Sequence, residues 1–501
     1  MPTDTDQLPD HVHVAIVGAG FSGLGMAVAL ERAGIHDYLI LERADDVGGT
    51  WQANTYPGCQ CDVPSHLYSF SFAPNPDWSR TFSLQPEIWD YLRRCADEHG
   101  ITPKVRLGHE VLGSSWDDAA QRWEIETSHG SITADVLVAA SGGLSAPSIP
   151  EIPGLDTFTG AAFHSATWDH SVDLAGKRVA MVGTGASSIQ IVPRIQSQVE
   201  RLLVFQRTPA WIMPHRDRPI SRAEHRLYRA FPAAQRLMRN GIFWVRETFV
   251  LPFLHPRLGH GGERIARRHL RRQVPDRDLR RRLRPQYAFG CKRVLLSNDF
   301  YPALCQPNVE LVTDGISEVR PRSIVTTDGT EHEVDAIVFG TGFHVTDMPV
   351  AEHVIGSEGR TLAEIWNGSP RAYLGTCVAG FPNMFMLLGP NTGLGHNSVV
   401  YMVEAQIAYV SDCLKMMQAR SLGSVDVRAD VLADFTAEID RRMQGTVWMT
   451  GGCASWYIDS SGRNSTLWPD ASWRFRRRVR RFDLDSYEVR TRTPQPVAAR
   501  S

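Results

Sequence analysis

Two glycine-rich loops, opening at Gly18 and Gly183, constrain this chain more than any other feature. In the first, Val12, Val14 and Ile16 alternate into Val17 and predict a buried strand. Gly18-Ala19-Gly20-Phe21-Ser22-Gly23 follows, and then the helical run LGMAVALERAG. In a strand, tight turn and helix of this kind, glycines let backbone N–H groups at the helix N-terminus approach a pyrophosphate. Tyr38–Leu41 predicts a second strand ending at Glu42, whose carboxylate suits the ribose hydroxyls of an adenosine. The second loop repeats the pattern. Strand Arg178–Val182 leads into Gly183-Thr184-Gly185-Ala186-Ser187-Ser188, with Ser188 where a third glycine is usual. The next strand, Arg201–Arg207, ends at Arg207-Thr208 instead of an acid. A cation and a hydroxyl suit the 2′-phosphate of NADP, so the expected coenzyme is NADPH and not NADH. The fold class is therefore α/β, with two Rossmann-like dinucleotide-binding domains.

Length and charge leave room for that reading and close off others. A chain of 501 residues can build two or three domains with large cores. A net charge of −2 provides no global field for nucleic acid or membrane. The N-terminus MPTDTDQLPD lacks the basic and apolar regions of a signal peptide. Ala372–Val403 carries no formal charge, but Gly380, Pro382, Asn383, Gly389, Pro390 and Asn391 interrupt it, so no transmembrane segment is expected there. The eight cysteines lack metal-ligand spacing, and no metal is expected. They read as reduced thiols of a cytoplasmic protein. Cys59 and Cys61, spaced C-x-C, read as structural thiols instead of a redox pair.

Three further stretches carry the chemistry. Phe158–Asp169, FTGAAFHSATWD, fits F-x-G-x-x-x-H-x-x-x-W-D. Gly48–Asp62, GGTWQANTYPGCQCD, fits [AG]-G-x-W-x4-[FY]-P-[GM]-x3-D at every specified position. Lys292-Arg293 lies in YAFGCKRVLL, where the chain returns from a helical segment. Together they resemble the type I Baeyer–Villiger monooxygenases, and the likeness covers almost the whole chain. The resemblance implies FAD and NADPH as cofactors, O2 and a small-molecule ketone as substrates, and an ester or lactone as product, formed through a C4a-peroxyflavin stabilised by Arg293. It implies that Asp62 pairs with Arg293, and that Lys292 and Arg207 clamp the 2′-phosphate. It places cofactor contacts at Gly49, Thr50, Trp51, Asp62, Tyr68, Val111, Asn391 and Trp456, beside those of the two loops. His164 and Trp168 are assigned to an interdomain hinge.

The expected organisation has an FAD domain in two parts, 1–147 and 343–501, the latter with the C-terminal region. An NADPH domain, also in two parts, spans 148–215 and 291–342, around a mainly helical insertion at 216–290. Val111–Trp116, Trp123–Thr127 and Ser131–Ala134 alternate like an antiparallel meander. A further helix is expected over Val399–Val410. The Arg-rich run of the insertion is diluted by Glu263, Asp276 and Asp278 and reads as a solvated helix face. The competing reading is a flavin monooxygenase that oxygenates N or S atoms. It shares both loops but lacks the Trp168-Asp169 ending and commonly the arginine at position 293. A nonenzymatic NADPH-binding protein is the other alternative. No motif names the ketone or the oligomeric state.

Overall fold

The computed structural model describes residues 8–492. The apolar run after Pro9 becomes the centre of the larger sheet. Strand His11–Val17 pairs in parallel with Tyr38–Leu41 on one side and Gly130–Ala139 on the other. Val14, Ala15 and Ile16 are fully buried, because a parallel sheet is covered on both faces. Beyond Gly130–Ala139 the sheet becomes antiparallel through Arg122–Thr127 and Val111–Asp117, the expected meander. Met384–Met386 joins Gly130–Ala139 from far along the chain. The second sheet has five parallel strands in the order Val309–Val312, Arg201–Phe205, Arg178–Val182, Ala336–Phe339, Ala161–His164. Each glycine loop leaves the carboxyl end of an interior strand and enters a helix, Phe21–Ala33 in one sheet and Ser188–Ile195 in the other. Ligands bind at such strand ends in open parallel sheets.

The chain crosses between the sheets twice, and the two linkers run side by side. Ser148 N–H donates to Gly342 O and His344 N–H to Ala146 O, both at 2.9 Å. His164 ends the edge strand beside this crossing, buried, with its ring 5.5 Å from that of Phe343. Trp168 packs edge-on to Phe163 at 5.2 Å. Asp169 accepts from the N–H and hydroxyl of Ser171 and closes its own turn. His170 and Thr55 share a hydrogen bond of 2.7 Å, so the 158–170 stretch reaches the Gly48–Asp62 segment.

The insertion forms helices Arg222–Ala230, Pro232–Glu247, Val250–Leu254, His260–Gln273 and Arg277–Arg282. The helical insertion is broken at Pro232, which has no N–H to give and opens a new helix at its first position. Ser221 and Glu224 form a capping box that fixes the first of these helices. The helix starting at Val399 continues to Ala419, beyond the expected end. No described helix is long and apolar enough to cross a membrane.

The cysteine expectation needs correcting. Six cysteines are free, Cys59 and Cys61 among them, but Cys291 and Cys453 form a disulfide across 162 residues with their Cα atoms 6.2 Å apart. Spacing along the chain exposes only local pairs. These two meet because the turn before Lys292 and the segment around Trp448 and Tyr457 pack into one apolar cluster. Denatured without reductant and titrated with a thiol reagent, the protein should give six thiols, and eight after reduction. Eight before reduction would show that the link is absent.

Candidate active site

The first loop is shaped by close backbone approach. Gly18 has φ 104°, and a Cβ there would lie 2.9 Å from Ala140 O; one on Gly23 would lie 1.9 Å from Gly18 O. Helix Phe21–Ala33 has no side-chain cap and no acid in its first turn, which leaves its first N–H groups for an anion. Gly49 crosses over this loop: a Cβ on it would lie 3.0 Å from Gly20 Cα, and Gly48 N–H donates to Ala19 O at 2.9 Å. Glu42 is buried at the strand end. It accepts from Ala19 N–H at 2.7 Å and Ala44 N–H at 2.9 Å, which leaves lone pairs for hydroxyl donors. Trp51 Nε1 donates to the Tyr68 hydroxyl at 3.1 Å, and Phe21 meets the Tyr68 ring at 5.1 Å. Phe21, Trp51 and Tyr68 thus form an aromatic wall beside the two glycine segments. Thr50 is exposed at the start of the short helix Thr50–Ala53. Val111 begins its strand two residues after His109, whose N–H donates to Glu42 O. A glycine cradle, a buried ribose-type carboxylate and an aromatic wall together fit FAD.

The second loop has the same construction. Gly183 has φ 106°, and its Cβ would lie 2.6 Å from Gly340 O. Thr184 is buried, Gly185 and Ala186 are exposed, and Ser187 precedes helix Ser188–Ile195. Ser188 is fully buried, and a Cβ added at Gly340 would lie 2.2 Å from its Oγ. The Ser188 side chain therefore packs helix on strand, as a third glycine would, and is not presented to a coenzyme. Arg207 is exposed and Thr208 half-buried just past their strand. Burial holds the Lys292 ammonium below the ordinary lysine value, and Arg207 pushes it further down. Neither cation has a carboxylate partner among the described residues. Two like charges held this close favour an anion between them, which fits a phosphate.

Between these regions Asp62 meets Arg293, 231 positions away in sequence. Arg293 Nε donates to Oδ2 at 2.8 Å; its Nη2 donates to Oδ1 at 2.7 Å and Oδ2 at 2.6 Å. The side chains of the pair are 35% and 28% exposed for Arg293 and Asp62, so the pair is largely buried but not sealed from solvent. A third charge comes from the insertion. Arg246, near the end of helix Pro232–Glu247, donates through Nε to His396 O at 3.0 Å, its only side-chain hydrogen bond among the described residues. Burial pushes the Asp62 carboxyl up, but Arg293 first and Arg246 after it outweigh that and hold it below the usual carboxylate range. Asp62 in turn raises Arg293 above the ordinary arginine value. Burial pushes the Tyr457 phenol up to about 12 and Arg293 draws it down; its hydroxyl has no hydrogen bond among the described residues. Two guanidiniums against one carboxylate leave the site net positive. Because the folded Asp62 pKa lies below the unfolded one, the stability it contributes is present above roughly pH 3.9 and is lost as pH falls through the depressed value. The melting-temperature gap between wild type and Asp62→Asn should therefore close only in acid below that point. A gap that closes near neutral pH would show that Asp62 is not held ionised.

The side chains of Asn391 and Trp456, both expected at a cofactor, make contacts of their own. The Asn391 amide donates to Asn464 O and Leu467 O, and its oxygen accepts from Arg463. That side chain is committed to holding the C-terminal turn and can offer a cofactor only backbone. Trp456 is 45% exposed against Tyr457, neither a core residue nor part of the charged group. Sequence reading missed Arg246, Tyr457 and Gln190. Gln190 Oε1 accepts from the Tyr56 hydroxyl at 3.0 Å, and its amide donates to Gln60 O at 2.9 Å, fastening the second loop's helix to the Gly48–Asp62 segment. A cation interrupting the apolar run FWV was the only local sign of Arg246.

The pyridine nucleotide-disulphide oxidoreductase family model matches residues 15–222. A Baeyer–Villiger monooxygenase of Streptomyces coelicolor is 54% identical over 99% of this chain and 96% of its own length. The crystal structure of cyclohexanone monooxygenase from Rhodococcus sp. Phi1 bound to NADP+ superposes with a TM-score of 0.86 at 28% identity, covering 97% of this chain and 100% of that one. The structure of OTEMO in complex with FAD and NADP gives 0.85 at 25% identity, covering 96% of this chain and 100% of that one. Identity of this extent over nearly full length, on a chain that carries both nucleotide cradles and the Asp62–Arg293 pair, leaves one assignment: the chain belongs to the Baeyer–Villiger monooxygenases.

Proposed function

We propose that this protein uses NADPH and O2 to insert one oxygen atom beside the carbonyl of a small ketone, giving an ester or lactone. The observation that carries this reading is the Asp62–Arg293 pair with Arg246 behind it, set among two dinucleotide cradles. FAD, when bound and reduced by NADPH, supplies the activated oxygen. Insertion beside a carbonyl builds negative charge on the former carbonyl oxygen, and Arg293 is the cation placed to meet it. Arginine suits the task because it stays protonated throughout, and Asp62 fixes the plane of its guanidinium by holding Nε and Nη2. Asp62 alone would cancel that charge; Arg246 restores a net positive field. Gly18, Gly20, Phe21, Ser22, Gly23, Glu42 and the Gly49–Trp51 segment would hold FAD. The second loop, with Arg207, Thr208 and Lys292, would hold NADPH.

The paired linkers at 146–148 and 341–344 support a division into an FAD domain, 1–147 with 343–501, and an NADPH domain, 148–215 with 291–342, around the insertion. NADPH as reductant supports the cytoplasm, while the Cys291–Cys453 disulfide, uncommon in that compartment, speaks against it. The test is product mass. The FAD-loaded protein is given NADPH, air and a panel of linear, cyclic and aryl ketones beside a thioether. An ester or lactone one oxygen heavier than its ketone is expected. Oxidation of the thioether alone would transfer the assignment to heteroatom oxygenation.

A further inference from the structure

The helix Pro232–Glu247 is amphipathic in the reverse of the usual sense. Its inner side is fastened to the protein: Phe243 packs on Tyr401 at 4.6 Å, and Glu247 accepts from the Ser472 N–H and hydroxyl and from the Asn397 amide. The outward stripe is apolar. Leu237, Met238, Trp244 and Val245 fall at i, i+1, i+7 and i+8 and are 74%, 43%, 57% and 61% exposed. Phe249, Leu251 and Leu258 continue the exposed apolar surface beyond the helix end. A contiguous patch of this kind on a folded domain marks an interaction surface.

Charge identifies what it meets. Residues 222–284 contain 17 arginines and five carboxylates, within a chain whose net charge is −2. Those five are all engaged. Glu224 pairs with Arg218, Glu263 with Arg267 and Asp278 with Arg281; Asp276 caps its helix; Glu247 is buried. Arg226, Arg236, Arg257, Arg264 and Arg268 have no carboxylate partner among the described residues. The basic helix Ser472–Arg478 lies alongside, with Arg476 over the Tyr401 ring at 5.0 Å. An apolar stripe carrying tryptophan, with Arg236 next to Leu237 and further unpaired arginines on the other helices of the insertion, complements an anionic bilayer surface, where the side chains enter the interface and the cations meet headgroups. The same excess of positive charge opposes a second copy of this chain on the face.

We infer that the helical insertion docks this enzyme peripherally on anionic lipid membranes through the Leu237–Val245 face. With no described helix able to span, the contact is interfacial. The test is co-sedimentation of the full-length FAD-loaded protein with vesicles of phosphatidylcholine alone or mixed with phosphatidylglycerol. The anionic vesicles should bind at least about tenfold more tightly. The double variant Leu237→Glu/Val245→Glu should lose that binding while keeping wild-type circular dichroism and NADPH oxidation. A second variant, Arg236→Gln/Arg264→Gln, leaves the stripe intact and should weaken anionic binding alone. Failure to bind either vesicle overturns the inference. So does anionic binding that survives the glutamate variant, retention on duplex DNA in place of vesicles, or a dimer in solution that Leu237→Glu dissolves.

Discussion

Arg293→Ala should abolish ester formation while reduction of bound FAD by NADPH survives. The guanidinium is held by a carboxylate through two of its nitrogens, and its side chain stays 35% exposed. Its removal deletes a charge placed where negative charge develops, an effect that costs roughly 10²–10³ in rate. It also leaves Asp62 ionised beside a ketone, which repels the same developing charge. Arg293→Lys keeps the charge but cannot reproduce the two-nitrogen grip on Asp62, so it should recover only part of the lost rate. NADPH consumption should continue in both variants, with O2 reduced to hydrogen peroxide in place of ketone oxidation. Ester formation at wild-type rate in Arg293→Ala would transfer the role to another cation, and Arg246 is the nearest candidate by its coupling to Asp62.

Coenzyme choice should be the second large effect. Lys292 and Arg207 repel each other and lack carboxylate partners among the described residues, and Arg207 follows the strand paired with the one that feeds the second glycine loop. A phosphate between them gains two charge-assisted contacts, each worth about 1.5–3 kcal/mol. Arg207→Ala should therefore raise KM for NADPH roughly ten- to hundredfold and leave KM for NADH nearly unchanged. Lys292→Ala should act in the same direction. The double variant should cost less than the product of the two, because both contacts serve one phosphate. Steady-state oxidation of each coenzyme measures this directly. Equal losses with NADPH and NADH would mean that the two cations hold something other than the 2′-phosphate.

The cradles were legible because their pattern is local. Gly18, Gly23 and Gly183 sit where a side chain would collide with backbone, and although Gly18 and Gly183 meet distant residues, Ala140 and Gly340, the glycines themselves stand at fixed spacing after the strand each loop leaves. Arg207 was legible for a similar reason, as the residue that replaces an acid at a strand end. Ser188 shows the limit of that reading. Its place in the loop is as expected, but whether it faces the coenzyme or the sheet depends on Gly340, 152 positions later.

The sequence by itself determined the two dinucleotide folds and, through the spacing of its motifs, the family. Only the tertiary structure decided which further charge joins the site. The motifs already implied that Asp62 pairs with Arg293 across 231 positions, but Arg246 arrives from a helix whose pattern does not show what its inner face meets. Likewise Cys291 and Cys453 meet through the packing of two distant apolar segments. Backbone propensity and glycine placement act over a few residues, whereas electrostatic pairing and side-chain packing act through space. A chain lists its charges in order of synthesis, and folding alone sets their distances.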